Sequence, residues 1–129
     1  MSLVLAEDTR RTIKLLKHYE IFQPMLSYNE HNREVRIPKI LSTLSGNNDV
    51  ALVSDAGTPT VSDPGYKLVR ACISEGIAVV PIPGASAVLA GLVASGLPTD
   101  RFVFEGFLPK KKGRKTHLNM LSREQRTII

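Results

Sequence analysis

The segment Val50 to Gly65, VALVSDAGTPTVSDPG, constrains this chain more than any other stretch. Its opening, Val50 to Ser54, is apolar and β-branched on both faces, as a strand buried within a parallel sheet should be. The twelve residues Ser54 to Gly65 hold two Gly, two Pro and two Asp, and such a connection is longer than joining a strand to a helix requires. Asp63 and Pro64 read as the N-cap and first residue of the next helix, PGYKLVRACISE, which Gly76 ends. A strand, a long loop and a helix in that order make a βα unit, with the loop at the carboxyl end of the strand.

The rest of the chain repeats this alternation. VLA (Val4 to Ala6) is a short apolar piece, and Thr9 to Tyr19 places Ile13, Leu16 and, past its end, Ile21 near helical spacing, with Asp8 or Thr9 as cap. MLSY (Met25 to Tyr28) is a strand candidate, and EVRIPKILSTLSG a helix closed by Gly46 with Pro38 in its first turn. IAVVPI (Ile77 to Ile82) reads as a second buried strand. ASAVLAGLVAS follows as a helix rich in small residues, FVFEGF (Phe102 to Phe107) as a strand, and HLNMLSRE as a last helix before TII. Helices between strands supply the crossovers that parallel neighbours need. The expected class is α/β: a parallel, doubly wound sheet with helices on both faces, built as one domain over residues 1–129. VLA and TII look like strand fragments without flanking turns, which suggests an incomplete domain, and Met1 to Leu3 read as added residues.

Charge is concentrated rather than spread. The formal net charge is +5, and Lys110, Lys111, Lys112, Arg114 and Lys115 carry five positive charges within six residues, so the remainder is neutral. A local basic loop suits contact with phosphates, or else is a solvated lysine turn. No apolar run approaches the roughly 20 residues of a membrane span, and MSLVLAEDTR lacks the basic-then-apolar order of a secretory signal; a cytoplasmic location without membrane insertion is expected. The single cysteine, Cys72, excludes an internal disulfide and reads as core packing. His18, His31 and His117 lack paired-ligand spacing, so no metal site is expected and each reads as a surface histidine.

In an open parallel sheet, ligands bind outside the carboxyl ends of the strands. Three segments converge on that edge: AEDTR at 6–10, the loop at 54–65, and PGASA at 83–87. Gly57 permits close approach of backbone to a ligand, and amides near Ala56 and Gly57 suit a carboxylate or phosphate. The alternative is a long turn that merely caps its helix. No Walker sequence and no G-x-G-x-x-G occurs, which argues against nucleotide hydrolysis and hydride transfer. Ser54, Ser62 and Ser86 lack the G-x-S-x-G elbow of a hydrolase nucleophile.

At these motifs the sequence resembles the tetrapyrrole methylase superfamily and, within it, the ribosomal RNA small subunit methyltransferase I family. The resemblance rests on AEDTR-R-T--LL-H (Ala6 to His18), SDAGTP--SDPG, PGASA, and SGLPTDRF-F-GFLP-K (Ser95 to Lys111), in that order over nearly the whole chain. It implies S-adenosylmethionine as cofactor and 2'-O-methylation of a cytidine ribose in small-subunit rRNA, with a homodimer as the assembly. Cofactor contacts carry over to Ser54, Asp55, Ala56, Gly57 and Val61, and to Ser86 and Ala87. A ribose hydroxyl is a weak acid, so a positioned base helps its transfer; Asp8 and Glu7 are the candidates, with Arg10 as a substrate contact. Asp8 is equally placed to act as a helix cap, and Asp55 to fix the loop amides. Lys110, Lys111, Lys112, Arg114 and Lys115 would meet the RNA.

The family pattern includes a first strand and a second α/β domain that are absent here, so this chain is expected to carry one wall of the cofactor site and to bind the cofactor weakly. Two rival readings remain: a methylase of a tetrapyrrole or another small molecule, and a non-catalytic RNA-binding module using the basic loop.

Overall fold

In the computed structural model, which describes residues 1–129, β1 (Leu3–Ala6) is the central strand of a three-stranded parallel sheet. On one side lies β2 (Met25–Ser27) and on the other β3 (Val50–Val53), in the order β2-β1-β3. The register sets Leu5 opposite both Leu26 and Leu52. The chain therefore runs outward from β1 to β2, then returns across β1 to β3. This reversal creates a topological switch point between β1 and β3, where their outgoing loops diverge. Leu3 pairs with Val50 and the Ser2 amide donates to the Asp49 carbonyl at 2.8 Å, so the first residues are part of the sheet.

Successive strand residues face opposite sides. Leu5 packs with Tyr28, Ile40, Leu68 and Cys72, bringing α2 (Arg33–Ser45) and α3 (Tyr66–Ser74) onto one face. Val4 and Ala6 point the other way and are equally buried, so both faces of the central strand are covered. Helix α1 (Thr9–His18) makes the crossover from β1 to β2, capped by Asp8, whose side chain accepts from the Arg10 amide. Cys72 is buried as the sequence implies, and burial pushes its thiol up.

These elements belong to a compact unit, Met1–Ala85. A second unit, Ser86–Ile129, contains α4 (Ala87–Ala94), β4 (Phe102–Val103), α5 (Arg114–Leu121) and β5 (Thr127–Ile128), with β4 and β5 paired in parallel. The Glu105 amide extends that ladder by donating to the Ile129 carbonyl at 2.7 Å.

Four expectations need correction. IAVVPI is not a strand: Ile77 to Ile82 is irregular, with Val80 74% and Ile82 82% exposed. Pro81 interrupts the run and removes a ladder donor, which counts against an interior strand. Asp63 and Pro64 do not open α3, because Gly65 at φ 145° turns the chain and delays the helix to Tyr66. Pro38 lies inside α2, well past the first turn, since the helix begins at Arg33. FVFEGF is a strand only over Phe102–Val103, and Gly106 takes φ 77° beyond it.

Gly65 is the tightest backbone position. A Cβ there would stand 2.7 Å from Thr60 Cγ2 and 2.8 Å from Leu52 Cδ2, in a conformation that side-chain-bearing residues avoid. Gly57 has φ 69° but nothing within 4 Å of its virtual Cβ. Gly65→Ala should lower unfolding stability by about 3 kcal/mol, and Gly57→Ala by only about 1 kcal/mol, as read from urea midpoints at constant m. Equal costs at the two positions would contradict this account of the loop.

Candidate functional site at the carboxyl edge of the sheet

The loops leaving β1 and β3 are tied together at the switch point. The Asp55 carboxylate accepts from the Asp8 amide through Oδ1 at 3.3 Å and from the Arg11 guanidinium through Oδ2 at 3.1 Å. In return the Asp55 amide donates to Glu7 Oε2 at 3.4 Å. Residues 47 and 48 positions apart in sequence thus exchange donors and acceptors in both directions. Buried apolar β1 delivers Glu7 and Asp8 to this edge, and β3 delivers Ser54 and Asp55.

Asp8 has a second task. Its Oδ1 accepts from the Arg10 amide at 2.9 Å and Nε at 3.0 Å, and its Oδ2 takes the other guanidinium nitrogen at 2.7 Å. These hydrogen bonds from Arg10 hold the Asp8 carboxyl at about 2, well below the usual carboxylate range, and the same pairing raises the Arg10 guanidinium. A carboxylate so held is a poor proton acceptor and a good cap. Arg10 is thereby occupied, while its side chain stays 87% exposed.

Further along the loop, the Ser54 hydroxyl donates to the Ala56 carbonyl at 3.0 Å and the Val61 amide to the Thr58 carbonyl at 3.2 Å. Ala56, Gly57 and Val61 are exposed, leaving their backbone open. Thr60 and Ser62 adopt φ of 76° and 57°, conformations that non-glycine residues rarely take. Such strain is tolerated where surrounding structure over-determines the backbone, and it concentrates at ligand-binding loops.

Of the residues singled out by sequence, Glu7, Asp8, Ser54, Asp55, Ala56, Gly57 and Val61 lie on the loops of the first unit, and Arg10 in the first turn of α1. Ser86 and Ala87 belong to the second, where Ser86 caps α4 by accepting from the Leu89 amide at 3.3 Å. The five cations from Lys110 to Lys115 are all exposed; Arg114 and Lys115 form the first turn of α5, after Gly113 at φ 81°. Arg114 also donates to the Pro109 carbonyl at 3.3 Å. Sequence reading passed over Arg11, although its place three residues after Asp8 on a helix turns it toward the same edge. His117 is not a plain surface histidine: its Nε2 lies 2.7 Å from Glu105 Oε1, and both side chains are largely covered. No helix is long and apolar enough to cross a membrane.

The Asp8–Arg10 pairing yields a pH prediction. Because the folded value lies below that of an ordinary aspartate, its contribution to stability is complete above the ordinary range and is lost as pH falls through about 2. Carboxyl carbon shifts should place the Asp8 midpoint near 2, and Arg10→Ala should move it up toward the ordinary range. An unchanged midpoint in that variant would show that Arg10 is not the cause.

With this geometry in place, comparison with known proteins is informative. The family described as Tetrapyrrole (Corrin/Porphyrin) Methylases matches residues 2–129. The chain is 54% identical over 130 residues to a protein named ribosomal RNA small subunit methyltransferase I from Synechocystis sp., covering 100% of this chain and 47% of that one. The like-named proteins of Pseudomonas aeruginosa and Thermotoga maritima are 51% and 50% identical, with all of this chain and 46% and 58% of theirs covered. The chain thus spans about half the length of these relatives.

Proposed function

Since the chain belongs to the tetrapyrrole methylase family, we propose that it serves an S-adenosylmethionine-dependent methyltransferase that acts on small-subunit rRNA, at the 2'-oxygen of a cytidine ribose. The observation that carries this reading is the switch-point edge, where Asp55 bridges the loops after β1 and β3 and leaves the backbone at Ala56 and Gly57 open. An open backbone suits a cofactor whose amino-acid and nucleoside parts need amide contacts without side-chain obstruction. The names of the relatives favour rRNA as the acceptor over a tetrapyrrole.

Methyl transfer from a sulfonium is an in-line displacement, so alignment of the ribose oxygen with the methyl carbon and exclusion of water matter most. Ser54, Asp55, Ala56, Gly57 and Val61 would hold the cofactor. Glu7 suits the role of proton acceptor better than Asp8, whose carboxylate is consumed by Arg10 and the α1 cap. Lys110, Lys111, Lys112, Arg114 and Lys115 would take RNA phosphates, which position the substrate without reading its sequence.

Ribose-methylation mapping of small-subunit rRNA from cells lacking the gene for this chain should reveal one lost cytidine methyl group, and an unchanged map would refute the reading. Replacing all five cations of the basic loop by Gln should weaken RNA binding and reduce the slope of log K against log salt by about 3 to 5. An unaltered slope would mean that the loop makes no phosphate contact.

A further inference from the structure

Helix α1 carries more positive charge than the roles above use. Its sequence, TRRTIKLLKH, holds Arg10, Arg11, Lys14, Lys17 and His18 and no acidic residue. With 3.6 residues per turn, these five side chains fall within about a third of the helix circumference. All five are exposed, whereas Thr12 on the opposite side is buried and Leu16 half-buried against the body of the first unit. One face of α1 is therefore a row of basic groups.

The row is only partly neutralised. Arg10 meets Asp8 at 2.7 Å and Arg11 meets Asp55 at 3.1 Å, with side chains still 87% and 67% exposed. Lys14 and Lys17 have no ion-pair partner, although both extend the same row. Lys17 and His18 stand in the last turn, where the helix macrodipole favours a cation. That account does not reach Lys14 in the middle of the helix. Lys14 is three or four positions from Arg10, Arg11, Lys17 and His18, the spacings at which like charges on a helix repel one another.

An anion lying along this face would relieve the repulsion. From Arg10 to His18 the row runs about 12 Å, which suits a chain of phosphates rather than a single one. It begins where α1 leaves the switch-point edge, beside Asp8 and Asp55. An anionic membrane fits less well, because a helix that lies on a bilayer turns its apolar face outward, and α1 turns Thr12 and Leu16 inward. We propose that the outward face of α1 is an RNA-docking surface, on which Lys14 and Lys17 take phosphates flanking the nucleotide held at the switch-point edge. That the polyanion is RNA rests on the methyltransferase reading. These two lysines would be positioning residues, setting the direction in which the RNA strand leaves the site.

The test is the salt dependence of binding between the 129-residue chain and a fluorescent hairpin of small-subunit rRNA. Replacing Lys14 and Lys17 together by Gln should lower the slope of log K against log salt by about 1.5, and replacing both by Arg should retain it. The basic loop at Lys110 to Lys115 is intact in these variants, so the change reports α1 alone. A control, Lys39→Gln with Arg70→Gln, removes the same charge from exposed positions on α2 and α3 and should leave the slope unaltered. Matched thermal unfolding midpoints would establish that all the variants fold. The proposal is overturned if the Lys14 and Lys17 variant keeps the parental slope or if the control loses as much. It is also overturned if phosphatidylserine vesicles, and not the RNA, bind in a manner that depends on Lys14 and Lys17. The rRNA methylation map separates the two readings. A lost methyl group with an unaltered slope removes only the docking surface, and a lowered slope with an unchanged map removes only the methyltransferase.

Discussion

The edge that carries the site depends on one carboxylate. Asp55 follows β3, yet two of its bonds reach the start of α1, to the Asp8 amide and to Arg11, while its own amide is held by Glu7. Parallel strands are joined only through their ladder hydrogen bonds, and those end at Ala6 and Val53. Beyond that point nothing in the sheet itself fixes how far the two loops spread. With its side chain only 21% exposed and a cation at 3.1 Å, Asp55 makes charge-assisted bonds that are stronger than neutral ones. The gap between the loops is therefore set by a side chain rather than by flexible backbone.

That bridge explains why the following loop can be both strained and open. Thr60, Ser62 and Gly65 all take positive φ within six residues, a combination that costs several kcal/mol and would relax if its ends were free. At one end Asp55 is held by α1 and Glu7. At the other, Gly65 is buried against Thr60 and Leu52, directly before the helix whose Leu68 and Cys72 enter the core. Between these fixed ends Gly57 faces open space. Rigid ends and an unobstructed middle are what a preorganised binding loop requires, since little ordering remains to be done when a ligand arrives.

How much of this was legible in the sequence depended on whether the deciding interaction was local. The α/β class and the parallel pairing followed from alternating elements, and the core role of Cys72 from its helical context. The Asp8 cap is a contact over two residues and was readable as one of two options. The Asp55 bridge spans more than 40 positions and was readable only as a loop of suspicious composition. Local pattern also misled. IAVVPI has β-branched residues in strand order, but a strand needs a neighbour to pair with, and Pro81 withholds a donor near the end of the run. Asp63–Pro64 is a sound helix start by residue preference, yet a glycine turn fixed by its contact with Leu52 overrode it.

The distribution of charge differs between the two units. In the first unit, beside Tyr66, Arg33 is ion-paired with Glu30 and Lys67 with Glu34. In the second unit the balance is reversed. Arg114 and Lys115 occupy the first turn of α5, where the unpaired amides already concentrate positive potential and basic side chains are disfavoured. Three lysines immediately upstream add to that repulsion, and no acidic residue lies in that first turn. An arrangement that works against its own helix is relieved when an anion supplies the missing charge, and the carbonyl of Pro109 and the Glu105–His117 pair hold the segment in shape meanwhile. Phosphates bind through charge and carry no sequence information.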